Sequence, residues 1–486
     1  MYIYEWEPRA LRSLRDAEQA VTGKSITIPQ FDSRWSEKLK PGLSSFSNVP
    51  DEQLLPEVGK HLAPLLEFAQ KVLQSKSDQF SDYPIYLGAT AGMRMLTHSN
   101  RTRLLNAVRT LLNDKTFCPF QFRDVQARVI SGEEEAAYAW LAVNQLSGTL
   151  HLNDNRHSAK MSLDSSQTYG ILELGGASTQ VCFQEPDNDI MQGHFKLQLG
   201  QGPVWNLYAH SFLQYGINQA SQRFEALVLG GDPSQSSRNP CLPQGATQQV
   251  DTNIRIGKDG LETWDTKESG TVGAGEPIQV LQNQAGIDFE VCRNLVRRLV
   301  HKERNQFCQF AYKGDCSFNG VYQPSLPPNK QFVGVSNFYE TWDFLGLPQK
   351  ATLKQLENAT RYVCTLNHQQ ADEFGKEKVG KEYRDEMCFS STYVLELLHY
   401  GYGFKMDDHV MTADDIEGSS VTWAFGAMLY EVNSLPWLVR HRDLRWLLAI
   451  PAVAALVTVL FSLLFFCRRT VCNRRLRSYH TVKSDV

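Results

Sequence analysis

Short strand-like runs alternate with longer helical patterns through the first part of the chain. Three runs are rich in β-branched, aromatic and leucine side chains and have the length of buried strands: 85–87, 169–172 and 181–183. Between them, two segments carry apolar residues at helical spacing: 104–112 and 134–144. This alternation predicts an α/β architecture in which helices pack on a sheet.

A run near the carboxyl end has a different pattern. The twenty residues from Leu447 to Phe466 include no charged side chain. About twenty apolar residues in a helix cross the hydrocarbon core of a bilayer, so 447–466 is predicted to be a transmembrane helix. A buried core helix is the alternative.

Basic residues are more frequent after this run than before it. Those that follow are Arg468, Arg469, Arg474, Arg475, Arg477 and Lys483. The positive-inside rule therefore predicts a cytosolic basic tail over 467–486 and places residues 1–446 outside the cytosol.

Cysteine usage agrees with an oxidising compartment. Eight of the ten cysteines precede residue 447, and an even number suits disulfide pairing. Cys308 with Cys316, and Cys364 with Cys388, are close enough in sequence to pair locally, although a fully reduced set stays open. Two triplets, at Asn100 and Asn358, match glycosylation acceptors.

Composition excludes several classes of protein. With 486 residues, 21% charged and 11% aromatic, the chain is neither disordered nor collagen-like, and its length allows two or three domains. A formal net charge of −4 gives no support to a nucleic-acid partner.

Two glycine-rich turns are candidates for phosphate binding. The first lies in 86–94, where Thr90, Ala91 and Gly92 follow a strand-like run; a plain tight turn is its alternative. The second, Gly175-Gly176-Ala177-Ser178, lies between two strand-like runs and predicts a hairpin with little side-chain bulk at its tip. Backbone N–H groups in such turns can bind phosphate oxygens.

Carboxylates and neutral hydrogen-bonding groups lie close to these turns. Ser131 is predicted to cap a helix whose first turn contains Glu133, Glu134 and Glu135, only one of which can point directly into a cleft. Glu173 suits a hydrated divalent cation, and Ser178 and Gln180 can orient a water. Hydrolysis of a phosphoanhydride needs phosphate binding, a cation, an aimed water and a carboxylate base, so the motifs together predict this chemistry.

The motifs closely resemble the apyrase conserved regions of the nucleoside triphosphate diphosphohydrolases, the ecto-apyrase (GDA1/CD39) family. Four occur in order: YLGATAGMR (86–94), SGEEEAAYAW (131–140), ELGGASTQ (173–180) and TWAFGAMLY (422–430). The resemblance covers essentially residues 1–430. It implies a two-lobed actin-like fold of the sugar kinase and Hsp70 superfamily, related to RNase H, with nucleotide bound between the lobes.

The resemblance also implies boundaries and residue roles. Residues 1–130 and 415–440 would form a discontinuous lobe I, and 131–414 would form lobe II. Glu135 would be the catalytic base, with Ser178 and Gln180 holding the attacking water. Phosphate contacts would come from Thr90, Ala91, Gly92, Gly175, Gly176 and Ala177. Family members use Ca²⁺ or Mg²⁺, which Glu173 would bind through water, and convert nucleoside tri- or diphosphates towards monophosphates.

Three departures from the family pattern affect these expectations. The family's first phosphate loop would precede Met1, so the chain is expected to be an N-terminally truncated form with weak or no activity. Glu173 replaces the usual Asp, which is expected to alter the preference for Ca²⁺ or Mg²⁺. Tyr339 and Tyr400 stand near the nucleobase-binding positions and could stack on a base, with buried core aromatics as the alternative.

The leading hypothesis is thus a membrane-anchored acid anhydride hydrolase acting on nucleotides at the cell surface or in the Golgi lumen. There are two alternatives. One is a catalytically inactive chain that binds nucleotide or a partner without turnover, and the other is a kinase-like phosphotransferase on the same fold. The sequence leaves nucleobase preference and a homo-oligomer open.

Overall fold

A computed structural model describes most of the chain before residue 440. The described residues are 1–7, 10–11, 26–150, 152, 167–185, 190–229, 238–250, 279–310, 314–435, 438–439, 459 and 462–463.

The strands form one large sheet and several two-stranded sheets. In chain order they are β1 (Ala10–Leu11), β2 (Leu87–Ala89), β3 (Ala127–Val129), β4 (Gly170–Leu174), β5 (Ser178–Gln184), β6 (His194–Gln198), β7 (Val204–Leu213), β8 (Thr247–Val250), β9 (Gln279–Gln282), β10 (Phe332–Ser336), β11 (Lys350–Thr352), β12 (His409–Thr412), β13 (Asp415–Ile416), β14 (Ser419–Ser420) and β15 (Leu438–Val439). The large sheet has seven strands in the order β11-β12-β10-β4-β5-β7-β6. It is mixed, because β10 runs parallel to β4 and β12 whereas the other neighbours are antiparallel.

Helices precede, connect and cover these strands. They are α1 (Asp51–Val72), α2 (Ala91–Arg94), α3 (His98–Asn113), α4 (Gly132–Leu146), α5 (Ile217–Leu229), α6 (Phe289–Val300), α7 (Asn337–Leu345), α8 (Leu353–Val363), α9 (His368–Gly375), α10 (Met387–Glu396) and α11 (Trp423–Ser434). Short 3₁₀ helices span Leu43–Asn48, Gln74–Asp82, Asp124–Gln126, Lys302–Phe307 and Lys381–Glu386, and a π-helical turn, Leu397–Tyr402, follows α10.

Both faces of the seven-stranded sheet are buried. Because successive strand residues point to opposite faces, Leu172 and Val181 join one apolar cluster while Ile171 and Cys182 join another. The first cluster includes side chains of α5, α6, α7, α8 and α10, and the second includes α4 and α11. The sheet is therefore the middle layer of three, which is why its central strands β4 and β5 are buried along their whole length.

Helices α4 and α11 approach each other at backbone distance. At Gly426 of α11, an added Cβ would overlap the carbonyl oxygen of Tyr138 in α4 and lie 2.7 Å from its carbonyl carbon. Only glycine permits this approach without displacing one helix. Since α4 also carries Glu135, the crossing helps to set the position of the candidate base.

A separate apolar cluster forms in the amino-terminal part of the chain. It contains buried side chains of α1, α3 and the parallel pair β2–β3, among them Val58, Leu104, Val108 and Ala127. The residues of this core all lie within the segment 1–130 that is predicted to belong to lobe I. The boundaries of that lobe stay a prediction.

The α/β architecture predicted from the pattern is confirmed. The helical segments 104–112 and 134–144 lie inside α3 and α4, and the runs 169–172 and 181–183 overlap β4 and β5. The strand predicted over 85–87 begins later, at Leu87, because Ile85 instead donates to the Gln121 carbonyl as part of a separate bridge between Pro84 and Gln121.

Both disulfides predicted from sequence proximity, Cys308–Cys316 and Cys364–Cys388, are present. A third, Cys241–Cys292, was not predicted, because its cysteines are 51 residues apart and the α6 packing brings them together. Cys118 and Cys182 are buried free thiols.

The prediction of a transmembrane helix over 447–466 falls almost wholly outside the described residues, as does the basic tail over 467–486. Within the residues that are described, no helix has both the length and the apolar character needed to span a bilayer.

Candidate active site

Three adjacent strands place polar side chains in one row on the α4 face of the sheet. Strand pairing sets Glu173 of β4 opposite Gln180 of β5, and Gln180 opposite Ser211 of β7. Glu173 is also paired with Val335, which belongs to the apolar cluster beneath α4. The row therefore runs below the amino-terminal end of α4, with Glu173 and Gln180 buried.

The start of α4 directs Glu135 towards this row. The Ser131 side chain accepts a hydrogen bond from the Glu134 N–H at 3.0 Å, and the Glu134 carboxylate accepts from the Ser131 N–H at 2.8 Å. These two bonds form a capping box, in which Ser131 is the predicted cap. They occupy the Glu134 carboxylate, which also pairs with Arg128. Glu135, one residue further and about 100° around the helix, is buried and points to Gln180.

Ser178, Gln180 and Glu135 form one hydrogen-bonded group. The Gln180 amide nitrogen lies 2.5 Å from Ser178 Oγ and 3.3 Å from Glu135 Oε2. The structure thus brings together the three residues that sequence analysis assigned to the base and its water. Gln180 Oε1 is buried and has no hydrogen-bond partner among the described residues.

Arg94 belongs to this group, and its place was not predicted. Its guanidinium donates to Glu135 Oε2 at 2.8 Å, to Ser178 Oγ at 3.3 Å and to the Ile130 carbonyl at 3.2 Å. The side chains of Arg94 and Glu135 are 13% and 8% exposed, so the ion pair is poorly screened by solvent. In the sequence, Arg94 is the last residue of the motif 86–94, a charged side chain after the glycine-rich turn, and no contact was predicted for it.

Electrostatics distinguish the two buried carboxylates. Burial raises the pKa of Glu135, and the Arg94 guanidinium partly opposes that rise. Burial raises the pKa of Glu173 well above its ordinary value, the Glu135 carboxylate raises it further, and Arg94 partly opposes both. Glu135 has the direct ion pair, so it is the better placed of the two to act as an ionised base.

The hairpin tip between β4 and β5 packs against the start of α5. Carbonyl groups of Gly175, Gly176 and Ala177 accept hydrogen bonds from the backbone just before and within the first turn of α5. The N–H groups of Gly176 and Ala177, by contrast, donate no hydrogen bond within the part of the chain that is described. The tip therefore has two N–H groups without a protein acceptor in these residues, and their binding of phosphate stays a prediction.

The other predicted phosphate turn follows β2. Thr90 precedes α2, which begins at Ala91 and carries Gly92 and Arg94. An added Cβ at Gly92 would lie 2.8 Å from Ser44 Oγ, so the turn packs closely against the 3₁₀ helix Leu43–Asn48. Because Arg94 reaches Glu135 and Ser178, this turn lies close to the hairpin.

The two candidate base-binding tyrosines are not joined to this group. Within the described residues, no hydrogen bond or ring contact connects Tyr339 or Tyr400 with Glu135, Ser178 or Gln180. Tyr339 lies on α7, whose first residue, Asn337, donates to the Leu174 carbonyl at the end of β4 at 2.7 Å. Tyr400 is 37% exposed, and the Arg297 guanidinium lies 5.4 Å from its ring centroid.

The polar row also fits a cation held largely through water. Glu173 Oε2 is buried and has no partner among the described residues, and a second carboxylate, Glu135, lies close enough to raise its pKa. A divalent cation would compensate for the burial of the unpartnered Glu173 oxygen and would reduce the repulsion between the two carboxylates. No group of three or more His, Cys, Asp or Glu side chains arranged to hold a metal occurs in the described ranges.

Comparison with known proteins gives the family. The model of the GDA1/CD39 (nucleoside phosphatase) family matches residues 1–446. The chain belongs to this family. It is therefore a hydrolase of nucleoside phosphates, as the motifs predict.

Individual relatives agree with the family match. The chain is 32% identical to bovine ectonucleoside triphosphate diphosphohydrolase 1, over 90% of this chain and 79% of the relative. It is 30% identical to a probable apyrase 4 of Arabidopsis thaliana, over 81% of this chain and 71% of that protein. Among solved structures, a nucleoside triphosphate hydrolase structure from Neospora caninum superposes with a TM-score of 0.54 at 18% identity, over 86% of this chain and 83% of that one. That last similarity concerns the fold alone.

Proposed function

We propose that the chain hydrolyses nucleoside tri- and diphosphates by in-line attack of water on the terminal phosphorus. The observation that carries the proposal is the contact of Glu135 with both Gln180 and Arg94, next to Ser178. A water held by Ser178 and Gln180 would lie within reach of the Glu135 carboxylate, and Arg94 partly opposes the rise that burial causes in the pKa of that group. Glu135 accepts the proton as the oxygen attacks, and the bond to the leaving phosphate breaks on the opposite side.

Binding of the polyphosphate is assigned to the two turns. The N–H groups of Gly176 and Ala177 donate to phosphate oxygens, and Gly175 gives the tip the room for close approach. Thr90, Ala91 and Gly92 bind from the facing turn. The two turns belong to the predicted lobe II and lobe I respectively, so we place the nucleotide between lobes of a two-lobed actin-like fold.

The cation is proposed to be Ca²⁺ or Mg²⁺, held through water by Glu173. Such an ion, when bound, neutralises negative charge on the phosphate oxygens. The unpartnered Glu173 oxygen supports this assignment. The oxygen donor set suits either ion.

Tyr339 and Tyr400 are proposed to contact the nucleobase at the cleft entrance. The helix of Tyr339 begins at the carboxyl end of β4, next to the hairpin tip. Arg297 covers one face of Tyr400, which leaves the other face of that ring for stacking.

The catalytic residues are proposed to act outside the cytosol. The names of relatives such as ectonucleoside triphosphate diphosphohydrolase 1 support this location, and three disulfides favour an oxidising compartment. A membrane anchor over 447–466 completes the proposal.

Phosphate release from ATP, ADP, UDP and GDP by the full chain, with Ca²⁺ or Mg²⁺ and after chelation, tests the proposed function. We expect release of orthophosphate that stops on chelation and returns with either ion. Nucleotide binding without release would favour the catalytically inactive alternative, and product formed only with an added sugar acceptor would favour a phosphotransferase.

Glu173→Asp tests the assigned cation residue. The shorter side chain moves the carboxylate by about one methylene length, so the ratio of Ca²⁺-supported to Mg²⁺-supported kcat is expected to change by about threefold or more. Glu225→Asp makes the same replacement at a half-buried site on α5, where Ser221 and Gln248 donate to the carboxylate, and serves as the control. An unchanged ratio in Glu173→Asp would assign Glu173 a structural role only.

A further inference from the structure

We infer that Ser211, packed against Gly132, is a positioning residue that fixes the Gln180 amide for catalysis. The inference rests on the proposed function, because Gln180 there holds the attacking water. Ser211 itself touches neither the water nor the phosphate in this assignment.

Strand register places Ser211 next to Gln180. The two residues are direct partners across β5 and β7, and their side chains lie on the same face of the sheet. The Gln180 amide nitrogen donates to Ser211 Oγ at 2.9 Å. The bond is partly buried and crosses 31 residues of sequence, so it depends on the folded sheet.

Gly132 holds the Ser211 side chain in place from above. Gly132 is the first residue of α4, and a Cβ added there would overlap both Cβ and Oγ of Ser211 and lie 3.6 Å from its Cα. The serine side chain thus fills the space that a larger residue at the helix start would need. Ser211 consequently contacts the helix that carries Glu135 while it bonds to the strand partner that carries the amide.

The consequence for Gln180 is a fixed orientation. A primary amide has two N–H donors and one carbonyl acceptor, and its two ends are similar in shape. The nitrogen shares its two donors among Ser178 Oγ at 2.5 Å, Ser211 Oγ at 2.9 Å and, more distant, Glu135 Oε2 at 3.3 Å. Oε1 is buried and has no partner in the described residues. In the proposed assignment, that oxygen accepts a hydrogen bond from the attacking water.

Loss of the Ser211 hydroxyl removes one of these restraints. The Gln180 amide can then rotate about its Cγ–Cδ bond and present its nitrogen instead of its oxygen to the water. Because this change affects alignment of the water and leaves the phosphate contacts in place, it is expected to lower kcat more than it alters KM.

A double-mutant cycle with Ser211→Ala and Gln180→Ala tests the inference in the full chain. With ATP and a divalent cation, Ser211→Ala is expected to lower kcat about 10-fold to 100-fold and to change KM by less than about threefold. In the Gln180→Ala background it is expected to lower kcat no further, because its effect passes through that amide. Ser434→Ala, an exposed serine replacement on α11, is the matched control and is expected to retain full kcat.

The outcomes distinguish a failure of this inference from a failure of the proposed function. Full kcat in Gln180→Ala would contradict the assignment of the water to Gln180 and hence the proposed function. A slow Gln180→Ala with a fast Ser211→Ala, or losses that multiply in the double variant, would contradict only the role of Ser211. Unfolding of Ser211→Ala below the assay temperature, followed by circular dichroism, would also overturn it, because an orienting residue is not required for folding.

Discussion

Replacement of Glu135 by Gln is expected to reduce kcat for ATP hydrolysis by about 10³-fold, which corresponds to about 4 kcal/mol of activation free energy. The amide keeps the shape of the carboxylate and can still hydrogen-bond to Arg94 and Gln180, but it cannot accept the proton of the attacking water. KM is expected to change little, because the phosphate-binding turns are untouched. Steady-state phosphate release gives both constants.

Glu134→Gln provides the matched control for this variant. Glu134 precedes Glu135 on α4 but bonds to the Ser131 N–H and pairs with Arg128 instead of facing Gln180. We expect it to lower the free energy of unfolding by about 0.5–1 kcal/mol and to leave kcat within about twofold. An unaltered kcat in Glu135→Gln would contradict the assignment of the base.

Gly426→Ala is expected to destabilise the protein by about 2–4 kcal/mol. The new methyl group would overlap the Tyr138 carbonyl, so α11 or α4 must move apart from the other. The higher helix propensity of alanine offsets only about 1 kcal/mol of this cost. Because α4 positions Glu135, the variant is also expected to lose activity below its unfolding temperature.

Denaturant unfolding of Gly426→Ala and Gly42→Ala measures the effect. A Cβ at Gly42 would meet no atom within 4 Å, and its backbone has an ordinary extended conformation, so that variant is expected to keep its stability within about 0.5 kcal/mol. Equal stability of both variants would show that the two helices can separate at no cost, contrary to the packing described here.

The sequence contained enough to predict which residues form the centre of the site. Ser131, the predicted cap, fixes where α4 begins, whereas the choice of Glu135 among three consecutive glutamates came from the resemblance to the family. The glycine-rich tip fixes the hairpin, which sets Glu173 opposite Gln180. Both are local features, readable over a few residues.

Arg94 and Ser211 could not be assigned in this way. Arg94 reaches Glu135 across 41 residues and Ser178 across 84, so its role depends on how the amino-terminal core packs against the seven-stranded sheet. The contact of Ser211 with Gln180 depends on the register between β5 and β7. A shift of one residue would turn the Ser211 side chain to the other face of the sheet. Ser211 also lies outside the four motifs that carry the resemblance to the family.

Hydrolysis in ¹⁸O-enriched water tests most directly whether solvent attacks the terminal phosphorus. The full chain would be given ATP or UDP with a divalent cation for less than one turnover, and the products would be resolved by mass spectrometry. The account predicts one solvent oxygen in the released orthophosphate and none in the nucleotide product. Solvent oxygen in the nucleotide, or orthophosphate without it, would contradict the account.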